Sequence, residues 1–157
     1  MNVKILGAFA AVALLAACSD NTAKTATSSG ATANGSGIVP GSQEDLVANV
    51  GDRAFYDFDK SALKADGKAT LDRQAAWLAK YAQNNVQVAG NADERGTEEY
   101  NLALGQRRAA AARDYLVAKG VASTRVTTIS YGKDRPTALG SNEAAWAQNR
   151  NAITSVR

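Results

Sequence analysis

Residues 19–43 constrain this chain more than any other stretch. They are Ser, Thr, Asn, Gly and Ala almost throughout, with hardly a large apolar side chain. Such a segment cannot bury enough surface to offset the entropy of ordering it, so it predicts a flexible tether. The material for a core is thereby confined to residues 44–157, one domain of ordinary size. Stretched out, the tether would reach roughly 80–90 Å; as a coil it would average about 25–30 Å. Composition narrows the chemistry. The 157 residues include one Cys and no His, and 18 Lys and Arg stand against 15 Asp and Glu for a net charge of +3. One cysteine excludes a disulfide framework and a Cys-rich metal centre. Lack of histidine removes the commonest general base, the commonest metal ligand and the Ser-His and Cys-His arrangements. The basic residues are too thinly spread for a nucleic-acid binder. A non-catalytic chain with no metal, no cofactor and no nucleic-acid partner is expected.

Ahead of the tether, Lys4 and an apolar run over residues 5–15 lead to Leu15-Ala16-Ala17-Cys18. The run is too short to cross a bilayer, which takes about 20 apolar residues. A charged start, a short apolar middle and small residues before a cut point describe a secretory signal; a plain signal cut near Ala17, or a short buried helix, is the alternative. With the unique cysteine at the expected cut, the segment resembles the lipobox of bacterial lipoproteins. That resemblance implies a signal peptide over residues 1–17 and a Cys18 that carries a diacylglycerol thioether and an N-acyl chain such as palmitate. Ser19, where the inner-membrane retention signal usually has Asp, favours the outer membrane; Asp20 follows one position later. The expected divisions are 1–17 signal, 18–43 lipidated Cys18 and tether, and 44–157 folded domain.

Within the domain the hydrophobic period alternates. Residues 53–58 (Arg-Ala-Phe-Tyr-Asp-Phe) read as a strand. Residues 65–82 read as an amphipathic helix with Leu71, Ala75, Leu78 and Ala82 on one face. Residues 86–90 are a second strand. A long helix over 98–119 follows, with Thr97 as N-cap, Glu98 and Glu99 at the positive end of its dipole, and Lys119-Gly120 as its stop. Residues 126–131 form a third strand, 143–149 a short helix and 152–156 a last strand. This βαβαβαβ order implies an α+β fold: a small mixed four-stranded sheet with helices packed on it.

Two residues stand out chemically. At about 100° per residue, Arg108 lies only about 40° from Leu104, inside the apolar stripe of the long helix. A guanidinium there needs a partner, since leaving it unpaired in low dielectric costs several kcal/mol. An internal carboxylate is one such partner; an anionic ligand is the other. Asp93 follows the end of the second strand, where α/β crevices take ligands. Asp93 can accept an ammonium and Arg108 can clamp a carboxylate. Together they suit a zwitterion with amine and carboxylate on one carbon.

Residues 90–101 (Gly-Asn-Ala-Asp-Glu-Arg-Gly-Thr-Glu-Glu-Tyr-Asn), 104–109 (Leu-Gly-Gln-Arg-Arg-Ala), 130–136 (Ser-Tyr-Gly-Lys-Asp-Arg-Pro) and 139–145 (Leu-Gly-Ser-Asn-Glu-Ala-Ala) carry a collinear likeness. The chain resembles the peptidoglycan-associated lipoproteins within the OmpA-like peptidoglycan-binding family, over the whole domain. The resemblance implies non-covalent binding of peptidoglycan through meso-diaminopimelate in the stem peptide, without cleavage. It places the family's binding residues on Asp93, Arg108, Asn101 and Asp59, with Arg150 in the segment where the family often has Asn-Arg-Arg. It also implies an outer-membrane lipoprotein anchored on the periplasmic face by Cys18. That protein would belong to the Tol–Pal system, with a TolB-like periplasmic partner and Tol inner-membrane proteins, and serve outer-membrane integrity and constriction at division. The alternatives are an OmpA-like wall anchor without Tol partners, and a peptidoglycan hydrolase using Asp93 with Glu94, Glu98 or Glu99. Two departures touch the pattern. The family's Gly-His-Thr-Asp is Gly90-Asn91-Ala92-Asp93, and its Asn-Arg-Arg is Asn149-Arg150-Asn151.

Overall fold

The computed structural model describes residues 37–157. The expected signal peptide over residues 1–17, Cys18 and the expected tether as far as residue 36 lie outside the described residues.

Four strands form one mixed sheet in the order β1-β4-β2-β3. They are β1 (Arg53–Phe55), β2 (Val86–Asn91), β3 (Val126–Gly132) and β4 (Asn151–Val156). β2 and β3 are parallel, joined through a helical crossover, while β4 runs antiparallel to both β1 and β2. The helices are α1 (Gln43–Asp45), continued by a π-helical turn over Leu46–Val50, then α2 (Ala65–Lys80), α3 (Glu98–Ala118) and α4 (Glu143–Asn149). One apolar core joins Leu46, Leu71, Trp77 and Leu78 to Val86, Val88, Leu116 and Val126 from the sheet and α3.

Local chemistry fixes the helix ends. Thr97 accepts from the Tyr100 N–H at the start of α3, and Asn142 accepts from the Ala145 N–H at the start of α4. These side chains satisfy backbone donors that a helix leaves open. α2 stops at Lys80 rather than Ala82, and Ala82 is exposed. The reason is Arg125, whose guanidinium takes the Leu78, Tyr81 and Asn84 carbonyls at 3.1, 3.0 and 2.7 Å and closes the helix from outside.

Three expectations need correction. β1 ends at Phe55, not at residue 58. Beyond it the chain turns so that Tyr56 packs under Arg108 and the Asp57 carbonyl faces its guanidinium. The helical segment from Gln43 to Val50 has no counterpart in the sequence pattern. It also brings the tether's last residues into the fold: the Gly41 carbonyl accepts from Asn84, Ser42 caps α1, and Gln43 accepts from the Val156 N–H. Small polar residues gain order here because the domain supplies hydrogen-bond partners that composition alone does not reveal.

At one place α3 lies backbone to backbone on the sheet. A Cβ on Gly90 of β2 would sit 1.8 Å from the Gly105 carbonyl oxygen of α3. A Cβ on Gly105 would meet the Gly90 oxygen at 2.6 Å and Ser130 Oγ at 2.3 Å. Only two residues without side chains permit this approach. It sets Arg108, nearly one turn after Gly105, against the end of β2.

Candidate functional site

Beside that contact lies a cavity of about 180 Å³, its wall including Phe58, Asp59, Asp93, Arg95, Asn101 and Arg108. Four of the five residues expected at the domain's binding site, Asp59, Asp93, Asn101 and Arg108, therefore share one wall. Arg150 is not on it.

Arg108 is fully buried. Its Nε donates to the Lys60 carbonyl at 2.8 Å, Nη1 to the Asn91 carbonyl at 2.7 Å and Nη2 to the Asp57 carbonyl at 3.1 Å. The Tyr56 ring lies 5.2 Å from its guanidinium carbon. Among the described residues no carboxylate forms an ion pair with it. The internal-carboxylate alternative is thus absent, and the charge is held by dipoles. Burial pulls its pKa down to about 10, so the group stays cationic at neutral pH.

Asp93 is buried as well, at the mouth of the loop after β2. Its Oδ1 accepts from the Arg95 backbone N–H and Nε, both at 3.1 Å, and its Oδ2 from Arg95 Nη2 at 2.7 Å and Arg150 Nη1 at 3.3 Å. Burial pushes the Asp93 carboxyl up, but the hydrogen bonds from Arg95 and Arg150 outweigh it and hold the group below its ordinary value. Arg150 also donates to the Tyr56 carbonyl at 3.2 Å and to Glu143 Oε1 at 2.6 Å. It positions Asp93 from behind the cavity wall.

Asn101, buried on the first turn of α3, donates to the Arg95 carbonyl at 2.8 Å and so pins the loop that carries Asp93. Asp59 has φ of 56°, a left-handed conformation that Asp tolerates better than most side chains. Its carboxylate accepts from the Tyr100 hydroxyl, tying the β1–α2 turn to α3.

Arg95, Phe58 and Trp146 are site residues that sequence reasoning missed. The Arg95 guanidinium lies between two rings, 4.0 Å from the Phe58 centroid and 4.1 Å from that of Trp146. The two rings come from distant segments, so no local pattern announces the sandwich. One signal did exist: an arginine two residues after a buried aspartate can fold back on it.

The two departures from the family pattern meet each other. Asn91 Nδ2 donates to Asn151 Oδ1 at 2.7 Å, and Asn151 is anchored in turn to Thr137 Oγ1 and the Gln148 carbonyl. Asn91 Oδ1 is left without a partner among the described residues. The pair joins β2 to β4 beside the site; neither side chain hydrogen-bonds to Asp93 or Arg108, while the Asn91 backbone carbonyl accepts from Arg108 Nη1.

The arrangement suits binding better than proton transfer. A glycosidase acid needs a carboxyl raised toward neutrality. Asp93 is held low, and Glu94 is also held low, by hydrogen bonds from Ser141 and Trp146. Glu98 and Glu99 are exposed on the first turn of α3. What the cavity offers is a buried cation and an anion on one wall.

A sequence model of the OmpA family matches residues 55–150. The chain is 58% identical over 124 residues to the peptidoglycan-associated lipoprotein of Mesorhizobium japonicum, covering 78% of this chain and 74% of that protein. To the protein of the same name from Pasteurella multocida it is 41% identical over 150 residues, 96% of this chain and 95% of that one. Among solved structures, the peptidoglycan-associated lipoprotein from Burkholderia pseudomallei superposes with a TM-score of 0.67 at 39% identity, over 72% of this chain and all of that one.

Proposed function

The chain belongs to the OmpA family, and on that premise we propose that it is a lipoprotein that holds peptidoglycan non-covalently through the diaminopimelate of the stem peptide. One observation carries the reading: Arg108 is a buried cation without a carboxylate partner among the described residues, at the wall of a cavity shared with Asp93. A guanidinium has five N–H donors. Arg108 directs three of them at carbonyls, which leaves one hydrogen on each Nη. Two parallel donors match the two oxygens of a carboxylate. The free D-centre of meso-diaminopimelate brings a carboxylate for Arg108 and an amine for Asp93 on one carbon. Asn101 and Asp59 hold the loop and turn that carry the wall, and Arg150 orients Asp93.

The site predicts that the protein sediments with diaminopimelate-type sacculi and that free meso-diaminopimelate releases it. Arg108→Ala and Asp93→Ala should each remove retention. Full retention of both variants would refute the site.

The same reading extends to the envelope. Cys18 would be acylated and place the domain at the periplasmic face of the outer membrane. The Pasteurella relative, itself named a lipoprotein, supports this, because its match covers 96% of this chain and so reaches far into the leader and tether. A TolB-like periplasmic partner and the Tol inner-membrane proteins would link the wall-bound domain to constriction at division. Crosslinking in cells followed by recovery of a TolB-like protein supports that link; a wall-bound chain that crosslinks to no such protein is an anchor without Tol partners.

A further inference from the structure

Asp93 has no acceptor to spare for the amine assigned to it. A carboxylate offers about four lone-pair sites. Arg95 fills three of them, through its backbone N–H, Nε and Nη2, and Arg150 fills the fourth. Arg150 is buried and braced by Tyr56 and Glu143, so it is fixed. Arg95 is placed differently. Its side chain is 32% exposed, and Glu143 Oε2 lies 4.0 Å from the same Nη2 that Asp93 holds at 2.7 Å, a second anion beside the first. Its plane is already gripped by Phe58 and Trp146, so a small shift along the rings exchanges one carboxylate for the other without unstacking it.

We propose that Arg95 is an exchangeable counter-ion for Asp93, displaced toward Glu143 when a ligand ammonium takes its place. The inference rests on reading the cavity as a diaminopimelate receptor. Its consequence is selectivity. In the empty protein Arg95 keeps Asp93 ionised and occupied. A simple cation gains nothing from Arg108 and must still evict Arg95. A ligand that delivers a carboxylate to Arg108 at the same moment has binding energy to set against that eviction. Arg95 thus makes the site answer to the zwitterion rather than to positive charge alone.

The test compares two tripeptides by calorimetry on the acyl-free mature chain. One is L-Ala-γ-D-Glu-meso-diaminopimelate. The other carries L-2-aminopimelate in the last position and so keeps the carboxylate but lacks the D-centre amine. Removing the competitor in Arg95→Ala should tighten the diaminopimelate tripeptide by about 2- to 5-fold, the size of a partly exposed ion pair. The amine-free tripeptide should gain nothing. Arg95→Gln, which keeps much of the side-chain length, should shift affinity in the same direction. In the wild-type protein the Arg95 Nε–H resonance should move on titration with the first tripeptide and stay in place with the second. Equal weakening for both ligands, or an unmoved resonance, overturns the exchange and makes Arg95 a fixed part of the wall. Wild-type protein that binds neither tripeptide overturns the receptor reading itself, and the exchange with it.

Discussion

Arg108→Lys keeps the charge and loses the fork. Three carbonyls, those of Asp57, Lys60 and Asn91, depend on donors that point in fixed directions, and a lysine ammonium cannot serve them together. The variant should lose sacculus retention and about 1–3 kcal/mol of stability through carbonyls left unpaired, both readable from sedimentation and a denaturant melt. Arg150→Gln should act more mildly, because Asp93 still has Arg95; partial retention with a stability loss of about 1–2 kcal/mol is expected. At this scale the sequence is informative about Arg108, since its helical angle puts a charge in an apolar stripe. It is equally informative about Asp93, which follows a strand end. It is only weakly informative about Arg95, because a spacing of two residues in a loop permits a fold-back without requiring one. Its stacking partners Phe58 and Trp146 lie in the β1–α2 turn and in α4, and nothing local brings them together.

The contact between α3 and β2 sets the site's dimensions. Gly90→Ala would place a methyl 1.8 Å from a backbone oxygen that no side-chain rotation can move. The helix must then withdraw, at a cost of at least 1–3 kcal/mol, roughly the range for overpacking. Arg108 withdraws with it, so a lowered melting temperature should come with weakened wall binding. The π-turn after α1 depends on Asp45, which accepts from the Gly41 N–H, Asn49 Nδ2 and Trp77 Nε1. Those bonds, the Gly41 N–H foremost, lower the Asp45 pKa to about 2. In an unfolded chain an Asp titrates near 3.9. The depressed value means Asp45 stabilises the fold fully above about pH 4, and the contribution fades as pH falls toward about 2. Asp45→Asn should therefore lower stability at neutral pH and flatten its fall over that acid window in a pH series of melts. Capping residues and hydrophobic periodicity make α3 and α4 legible in the amino-acid sequence. β1 is overextended there because Tyr56 and Phe58 look like strand residues while serving Arg108 and Arg95. The turn over Leu46–Val50 escapes because a π-helical stretch with two valines carries no 3.6-residue period.

At the scale of the molecule, the proposed leader and tether would determine where the cavity works. A net charge of +3 offers little long-range steering toward the wall, so under the proposal proximity would come from the anchor. Two or more acyl chains on Cys18 would give stable attachment, each buried methylene adding about 0.8 kcal/mol. Cys18→Ser should abolish palmitate labelling and leave the protein out of the membrane fraction, while isolated sacculi still retain it. The mixed sheet, with its antiparallel β4 between β1 and β2, follows from element order only in outline. Strand neighbours depend on long-range pairing that a local pattern does not encode. Anchor and fold serve one claim, that a buried guanidinium in a small cavity reads the zwitterionic end of a wall peptide. Calorimetric titration of meso-diaminopimelate into the wild-type chain and into Arg108→Ala tests it most directly. Saturable one-to-one binding to the wild type and none to the variant is the predicted result. Equal binding to both, or none to a folded wild-type protein, would contradict it.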